Sequence, residues 1–163
     1  MATEIERKFL VLSDTWRAHV TRATRYRQGY LGPAETSSVR VRVSDTNAYL
    51  NIKGATVGVT RLEYEYPIPS ADAHEMLDRL CRKPLIEKTR HLVDHAGHCW
   101  EIDVFEGDNA GLIVAEIELK AEDELFVRPD WLGKEVSDDT RYYNVSLVTQ
   151  PYKTWGDAPT KSS

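Results

Sequence analysis

The opening segment of the chain carries three ionisable side chains at alternating positions, Glu4, Glu6 and Lys8. Because side chains alternate between the two faces of a strand, a strand over residues 4–11 places two carboxylates and one ammonium group on the same face. Carboxylate oxygens suit hard divalent cations, and an ammonium group suits an oxygen-rich anion. On one strand alone this pattern is also typical of a solvated face, so its repetition later in the chain decides its meaning.

Cationic side chains recur at alternating positions in later segments. Arg40 and Arg42 share one face of a predicted strand whose other face is formed by valines. Lys53 lies on the next predicted strand, and Lys88 and Arg90 share a face of a later one. Guanidinium and ammonium groups at this spacing suit phosphate, whose oxygens accept charge-assisted hydrogen bonds.

Carboxylates recur in the same way. Glu63 with Glu65, and Glu116 with Glu118, repeat the Glu-x-Glu pair of the first strand, and Asp103 lies on a strand between them. Burying so many charges is unfavourable unless each has a partner. Carboxylates for a divalent cation and cations for phosphate together describe a site for a metal-bound polyphosphate, as in phosphoryl transfer.

The elements that must position these residues are eight strands, nearly all with one apolar and one charged face. They are predicted over residues 4–11, 26–31, 38–43, 48–53, 59–67, 85–94, 100–106 and 112–120. Helices are predicted over about 14–20, 70–82 and 138–147 from capping residues, with apolar spacing as a second signal for 70–82. A further short helix is predicted over 122–126. Most strands are expected to pair with their sequence neighbours in antiparallel hairpins.

The alternation admits three architectures: an open sheet with a solvated charged face, a membrane barrel, and a closed sheet with the charges inside. The charged face is dense in ionisable residues, and its Glu-x-Glu pair recurs, which argues against simple solvation. Predicted helices interrupt the strands and can cover the apolar side. We therefore predict an α+β fold: an eight-stranded antiparallel β-barrel, or tunnel, with a charged lumen and an outer face covered by a few helices.

Length and composition limit the remaining choices. A chain of 163 residues with a net charge of −5 suits one domain and lacks the basic surface typical of nucleic-acid binding. We expect a single domain over residues 1–155, with a disordered tail over 156–163. With two cysteines and no apolar signal segment, a cytoplasmic protein with free thiols is expected, not bound to a membrane. A homodimer stays open.

The complete charged set resembles the signature of the CYTH superfamily, the triphosphate tunnel metalloenzymes. The matching positions are Glu4-x-Glu6-x-Lys8, Arg40-x-Arg42, Lys53, Glu63-x-Glu65, Lys88-x-Arg90, Asp103 and Glu116-x-Glu118. Within this superfamily, the chain is most similar to short bacterial members that begin with a similar segment. The resemblance implies that the protein hydrolyses inorganic triphosphate (tripolyphosphate) in the barrel lumen, with Mg²⁺ or Mn²⁺ as cofactor.

The resemblance also implies roles for individual residues. The implied metal ligands are Glu4, Glu6, Asp103, Glu116 and Glu118. The implied substrate-binding cations are Lys8, Arg40, Arg42, Lys53, Lys88 and Arg90. The implied catalytic residues are Lys8, Tyr30, Glu63, Glu65 and Lys88. Tyr30 matches a tyrosine that lies near the motif lysine in the similar short members. The segment 133–144 resembles the family's C-terminal helix near the tunnel mouth.

Three other functions stay open: a class IV-type adenylate cyclase, a thiamine triphosphatase and a non-catalytic polyphosphate-binding module. A cyclase must recognise adenine, and the sequence shows no obvious insertion for base stacking. A binding module needs cations, whereas this chain carries an excess of carboxylates. We assign no site role to His95 and His98 in a predicted hairpin turn, to Cys81 at a helix end, or to Arg7, which faces away from Lys8.

Overall fold

The computed structural model of this protein describes residues 3–32 and 36–156. Its strands are β1 (Thr3–Val11), β2 (Val20–Tyr30), β3 (Ser37–Val43), β4 (Ala48–Gly54), β5 (Thr60–Pro67), β6 (Ile86–His95), β7 (His98–Phe105), β8 (Ile113–Glu118) and β9 (Leu132–Glu135). Its α-helices are α1 (Ser70–Arg79) and α2 (Asn144–Thr149). Short 3₁₀ helices cover Thr15–His19, Gly107–Asn109, Thr140–Tyr142 and Tyr152–Thr154.

The first eight strands form a closed ring. Their order is β5-β4-β3-β2-β6-β7-β8-β1, and β1 also pairs with β5, which joins the two ends of the sheet. Strand β1 can serve three neighbours because β5 pairs with its first half, β9 with its last residues, and β8 with its other edge. The predicted antiparallel ring of eight strands with few helices is thus confirmed, with β9 as an additional short strand.

The outer face of β3 and β4 packs against α1, as the valine pattern predicted. Val41 is fully buried and belongs to a cluster with Ala73 and Leu77 of the helix. Gly29 lies where the chain after α1 crosses β2, and a Cβ there would come within 2.8 Å of Cys81 Cβ. Only glycine fits this crossing without displacing a neighbour, so the close approach explains the residue.

The outer face of β1, β7 and β8 is covered mainly without helices. Trp16, Trp100 and Trp131 are buried in one cluster with Phe9, against which Phe126 packs. The predicted helix over residues 122–126 is wrong, because this segment forms a turn followed by irregular chain.

The outer face of β5 stays partly exposed, because no described helix packs on it. Its apolar side chains Leu62, Tyr64 and Tyr66 are 41%, 40% and 52% exposed. The described helices are too few to cover a whole ring: α1 packs on β3 and β4, and α2 packs near β6.

The C-terminal segment closes over one side of the ring. The predicted helix over residues 138–147 is divided into the 3₁₀ helix Thr140–Tyr142 and α2, because Tyr143 between them has an extended backbone. Leu147 and Val148 of α2 are buried in a cluster with Tyr142 and Ile86. This packing anchors the segment beside the lumen.

The predictions for the N-terminal helix, a membrane-spanning helix and the C-terminal tail remain to be compared with the structure. The first predicted helix is the short 3₁₀ helix Thr15–His19, and β2 begins at Val20, earlier than predicted. No helix in the described ranges is long and apolar enough to cross a membrane. Residues 157–163 of the expected tail lie outside the described residues.

Candidate active site

The ring encloses a cavity of about 340 Å³ whose wall is formed by the charged strand faces. It is lined by the predicted site residues Glu4, Glu6, Lys8, Tyr30, Arg40, Arg42, Lys53, Glu63, Glu65, Lys88, Arg90, Glu116 and Glu118. The register explains this convergence: Lys8 lies opposite Glu116 on β8, and Glu6 lies opposite Glu118. One strand face therefore continues into the next around the ring.

At the meeting of β1 and β5, Glu4 is held by two cations. Lys53 Nζ lies 3.4 Å from Glu4 Oε1, and Arg61 Nε lies 3.1 Å from it. Although burial raises the pKa of Glu4, the charges of Lys53 and Arg61 lower it below its usual value. Lys53 also pairs with Glu63 at 3.2 Å, so this corner is a compensated charge cluster.

Lys8 lies between the carboxylates and the C-terminal segment. Its Nζ is 3.3 Å from Glu116 Oε1 and donates to the Tyr142 carbonyl oxygen at 3.4 Å. Burial lowers the pKa of Lys8, but the charges of Glu116 and Glu6 outweigh it and raise the pKa above its usual value. Tyr30 lines the same cavity, yet no hydrogen bond joins it to Lys8 among the described side chains.

Asp103 is the predicted site residue that the structure places differently. It is fully buried behind the cavity wall, 2.7 Å from Lys88 Nζ and 2.8 Å from Arg90 Nε. Burial raises the pKa of Asp103, but Arg90 and Lys88 bring it down to about 2. Its oxygens are occupied by these cations, which argues against the predicted metal-ligand role and favours positioning of Lys88 and Arg90.

Arg40 and Arg42 differ from the other lumen cations. Neither forms an ion pair with a carboxylate of residues 3–32 or 36–156, and Arg40 Nε is buried without a hydrogen-bond partner there. Arg42 Nε donates to Gln28 Oε1 at 2.9 Å, and its guanidinium lies 4.4 Å from the centre of the Tyr26 ring. Burial, with the charges of Arg40 and Arg90, lowers the pKa of Arg42 to about 9.

Two groups of carboxylates could hold metal ions, and Glu6 belongs to both. Oxygens of Glu4, Glu6 and Glu118 lie within 4.8 Å of one another, as do oxygens of Glu6, Glu101 and Glu116. Burial and the charge of Glu116 raise the pKa of Glu6 to about 8. Burial also raises the pKa values of Glu101 and Glu118. A divalent cation would relieve the crowding of these three carboxylates, whereas, although burial raises the pKa values of Glu4 and Glu116, neighbouring cations already lower them. The oxygen-only donor set fits such a cation.

Two charged residues that line the cavity, Arg61 and Glu101, were not among the predicted site residues. Both were on the charged face of their predicted strands, Arg61 beside Glu63 and Glu101 beside Asp103. Their alternation was the signal that could have found them. From the C-terminal segment, Tyr143 and Asn144 also line the cavity, and no strand periodicity indicates them.

His98, Arg7 and Cys81, for which no site role was predicted, are not among the residues that line the cavity. His98 follows the turn between β6 and β7, and its Nε2 lies 2.6 Å from Glu124. Arg7 pairs with Glu135 of β9 at 2.5 Å, on the side of β1 opposite Lys8. Cys81 is a free, buried thiol packed in the α1 cluster.

A family model and two curated relatives match nearly the whole chain. The model of the CYTH domain matches residues 2–152. The chain is 48% identical over 155 residues to the inorganic triphosphatase of Acetivibrio thermocellus, covering 95% of this chain and 99% of that protein. It is 38% identical over 152 residues to the inorganic triphosphatase of Nitrosomonas europaea, covering 90% of this chain and 97% of that protein.

Solved structures show the same similarity. A crystal structure of an inorganic triphosphatase aligns with a TM-score of 0.65 and 35% identity, covering 91% of this chain and 95% of that chain. A protein of Pyrococcus horikoshii aligns with a TM-score of 0.59 and 18% identity, covering 74% of this chain and 80% of that chain. The second likeness concerns the fold alone.

Proposed function

Because this chain belongs to the CYTH domain family, we propose that it is a metal-dependent hydrolase that converts inorganic tripolyphosphate to pyrophosphate and phosphate. The observation that carries the proposal is the composition of the cavity wall. It combines two carboxylate groups that fit a divalent cation with cations that fit several phosphoryl groups. The similarity to two inorganic triphosphatases over nearly the whole chain supports the same activity.

The substrate is bound by the lumen cations. Arg40 and Arg42 have no carboxylate partner among the described residues, so they can receive a phosphoryl group without first breaking an ion pair. Lys8, Lys53, Lys88 and Arg90 are already paired with carboxylates and surround the rest of the cavity. A linear chain of three phosphoryl groups can therefore contact cations on several strands at once.

The proposed cofactor is Mg²⁺ or Mn²⁺, which oxygens of Glu4, Glu6, Glu116 and Glu118 would hold; the position of Glu101 beside Glu6 and Glu116 supports it as a further ligand. When bound, such an ion would supply positive charge to neutralise phosphoryl oxygens and to stabilise the charge that develops during transfer. The carboxylates keep it within the lumen, and their negative charges keep a bare anion away from this wall.

The reaction is the attack of water on a terminal phosphoryl group. The oxygen of water forms a bond to phosphorus while the bond to the bridging oxygen breaks, and pyrophosphate leaves with the electron pair. The ammonium groups of Lys8 and Lys88 stabilise charge on the phosphoryl oxygens. Glu63 and Glu65 face the cavity from β5 and are proposed to position the water and accept its proton.

The test is a panel of tripolyphosphate, ATP, thiamine triphosphate and pyrophosphate, each with Mg²⁺ or Mn²⁺. We expect the highest kcat/KM on tripolyphosphate and little turnover of pyrophosphate, because a diphosphate leaves some of the cations without a partner. Phosphate release and cyclic nucleotide are measured together. A higher kcat/KM on ATP with cyclic AMP as product would replace this function by the cyclase.

We also propose a cytoplasmic location, and the sequence leaves a homodimeric assembly open. They concern the surroundings of the protein, whereas the proposed reaction depends on the cavity of one chain. Fractionation of the cell and sedimentation of the purified chain would decide them.

A further inference from the structure

Asn144 connects the C-terminal segment to two cations of the lumen. Its Oδ1 accepts hydrogen bonds from Lys88 Nζ at 3.0 Å and from Gln28 Nε2 at 2.9 Å. Gln28 is fully buried, and its Oε1 accepts from Arg42 Nε at 2.9 Å. A continuous chain of hydrogen bonds therefore runs from Arg42 on β3 through Gln28 on β2 to Asn144 and on to Lys88 on β6.

The orientation of both amides in this chain follows from chemistry. Arginine and lysine can only donate, so each end of the chain must meet an acceptor. Gln28 satisfies Arg42 with its oxygen and thereby turns its NH₂ group towards Asn144. Asn144 must then present its oxygen to two donors at once. Any other assignment of the amide atoms would place two donors against each other.

The hydrogen bonds through Gln28 and Asn144 restrict the direction of Arg42 and Lys88, and the two amides add no charge of their own. An ammonium group has three N–H donors; one from Lys88 goes to Asp103 at 2.7 Å and one to Asn144, which leaves the third for a ligand. Arg42 uses its Nε towards Gln28, and its two terminal nitrogens remain for a phosphoryl group. The two amides fix the direction of the remaining N–H donors and, being neutral, place no negative charge beside the bound anion.

We propose that Asn144, acting directly on Lys88 and through Gln28 on Arg42, is a positioning residue that aligns these cations for adjacent phosphoryl groups of the substrate. The inference rests on the proposed function and extends it to a residue outside the charged strand pattern. A carboxylate at this position would accept the same hydrogen bonds but would add a negative charge where the anion binds. The neutral acceptor is therefore part of the specificity for a highly charged substrate.

The test compares Asn144→Ala with Asn144→Asp by steady-state kinetics on tripolyphosphate and by thermal melting. Asn144→Ala removes the acceptor, and we expect KM to rise about tenfold or more, with a smaller change in kcat. Asn144→Asp keeps an acceptor and can pair with Lys88, so the melting temperature should equal or exceed that of the wild type while KM still rises. If Asn144 had only a structural role, KM would rise only in the variants whose melting temperature falls.

Two further variants complete the experiment. Gln28→Met keeps the volume of the side chain and removes the amide. The double variant Gln28→Met with Asn144→Ala should raise KM little more than Asn144→Ala alone, because both substitutions interrupt the same row of hydrogen bonds. Ser146→Ala is the matched control: Ser146 is on the same helix but takes no part in these hydrogen bonds, so we expect a native KM. A KM within about twofold of the wild type in Asn144→Ala or Asn144→Asp would overturn the inference, as would additive effects in the double variant.

The same panel separates this inference from the proposed function. If tripolyphosphate is not turned over but another triphosphate is, the proposed function is wrong, and the KM comparison on that triphosphate decides the role of Asn144. If the wild type turns over no triphosphate, both are overturned.

Discussion

Glu6 is the carboxylate that both acidic groups share, and its protonation should link stability to pH. Its pKa is raised from 4.5 to about 8 by burial and by Glu116. Between these two pH values Glu6 therefore binds more protons in the folded chain than in the unfolded chain, and its contribution to the free energy of unfolding falls as pH rises through this window. Without metal, the charged form of Glu6 is most populated at the upper end of this window, and it destabilises the folded chain most there.

We therefore predict that Glu6→Gln, which resembles the protonated form, gains stability relative to the wild type as pH rises. In excess chelator, the difference in melting temperature between variant and wild type should grow from about pH 5 to about pH 8. The variant should also require more metal for turnover. A difference in melting temperature independent of pH, or unchanged turnover at low metal, would contradict the assignment of Glu6.

Adjacent residues on β3 allow a second prediction, because they face opposite sides of the wall. Arg40 lines the cavity, whereas Val41 is buried against α1. Arg40→Ala should raise KM for tripolyphosphate about tenfold or more, since it removes a charge-assisted contact. Val41→Asp should lower stability by on the order of 3 kcal/mol or more, because a charge without a partner enters an apolar cluster.

Chemical denaturation and steady-state kinetics on both variants check this assignment. Arg42→Ala serves as the parallel case for Arg40→Ala, because both guanidinium groups line the cavity. If Arg40→Ala destabilised the fold as much as Val41→Asp and left catalysis intact, the two faces would be assigned the wrong way round.

At the scale of elements, the docking of the chain after α1 onto β2 depends on one glycine. In Gly29→Ala the new Cβ would lie 2.8 Å from both Cys81 Cβ and Leu85 Cδ2. We expect a loss of about 1–3 kcal/mol in the free energy of unfolding, typical of overpacking. Gly54→Ala is the matched control on β4, where a Cβ finds its nearest neighbour at 3.7 Å. Equal unfolding midpoints for the two variants in urea would contradict the close approach.

The predicted helices show which elements the sequence could not define. A short helix was predicted over 122–126, but Glu124 is hydrogen-bonded to His98, and Phe126 packs on Trp100. Both contacts join this segment to β7, 26 residues earlier in the chain, and they are made from an irregular path. Local propensity was therefore overridden by tertiary contacts.

At the scale of the whole molecule, the ring brings carboxylates from β1, β5, β7 and β8 into one lumen. A triphosphate entering beside them without a cation would be repelled, and the two groups around Glu6 would remain crowded. We predict that excess chelator abolishes hydrolysis of tripolyphosphate and that added Mg²⁺ or Mn²⁺ restores it. Phosphate release measured before and after the addition checks this, and full turnover in chelator would refute the metal dependence.

The sequence by itself determined which side chains share a face. Strand alternation is local, with a period of two residues, so Glu4, Glu6 and Lys8 had to point the same way once β1 formed. The same rule placed Arg40 in the cavity and Val41 against the outer core. For this reason the predicted lumen residues converge on one cavity, with the exception of Asp103.

The tertiary structure decided which groups from different strands meet. Arg61 reaches Glu4 because β5 closes the ring on β1, a contact 57 residues apart in sequence. Asp103 lies behind Lys88 because β6 and β7 pair in a register that sets Arg90 opposite Asp103. Asn144 reaches Lys88 from 56 residues away because α2 packs beside the ring. Such contacts depend on closure and register, and these are set by the packing of the whole chain, which the local pattern does not contain.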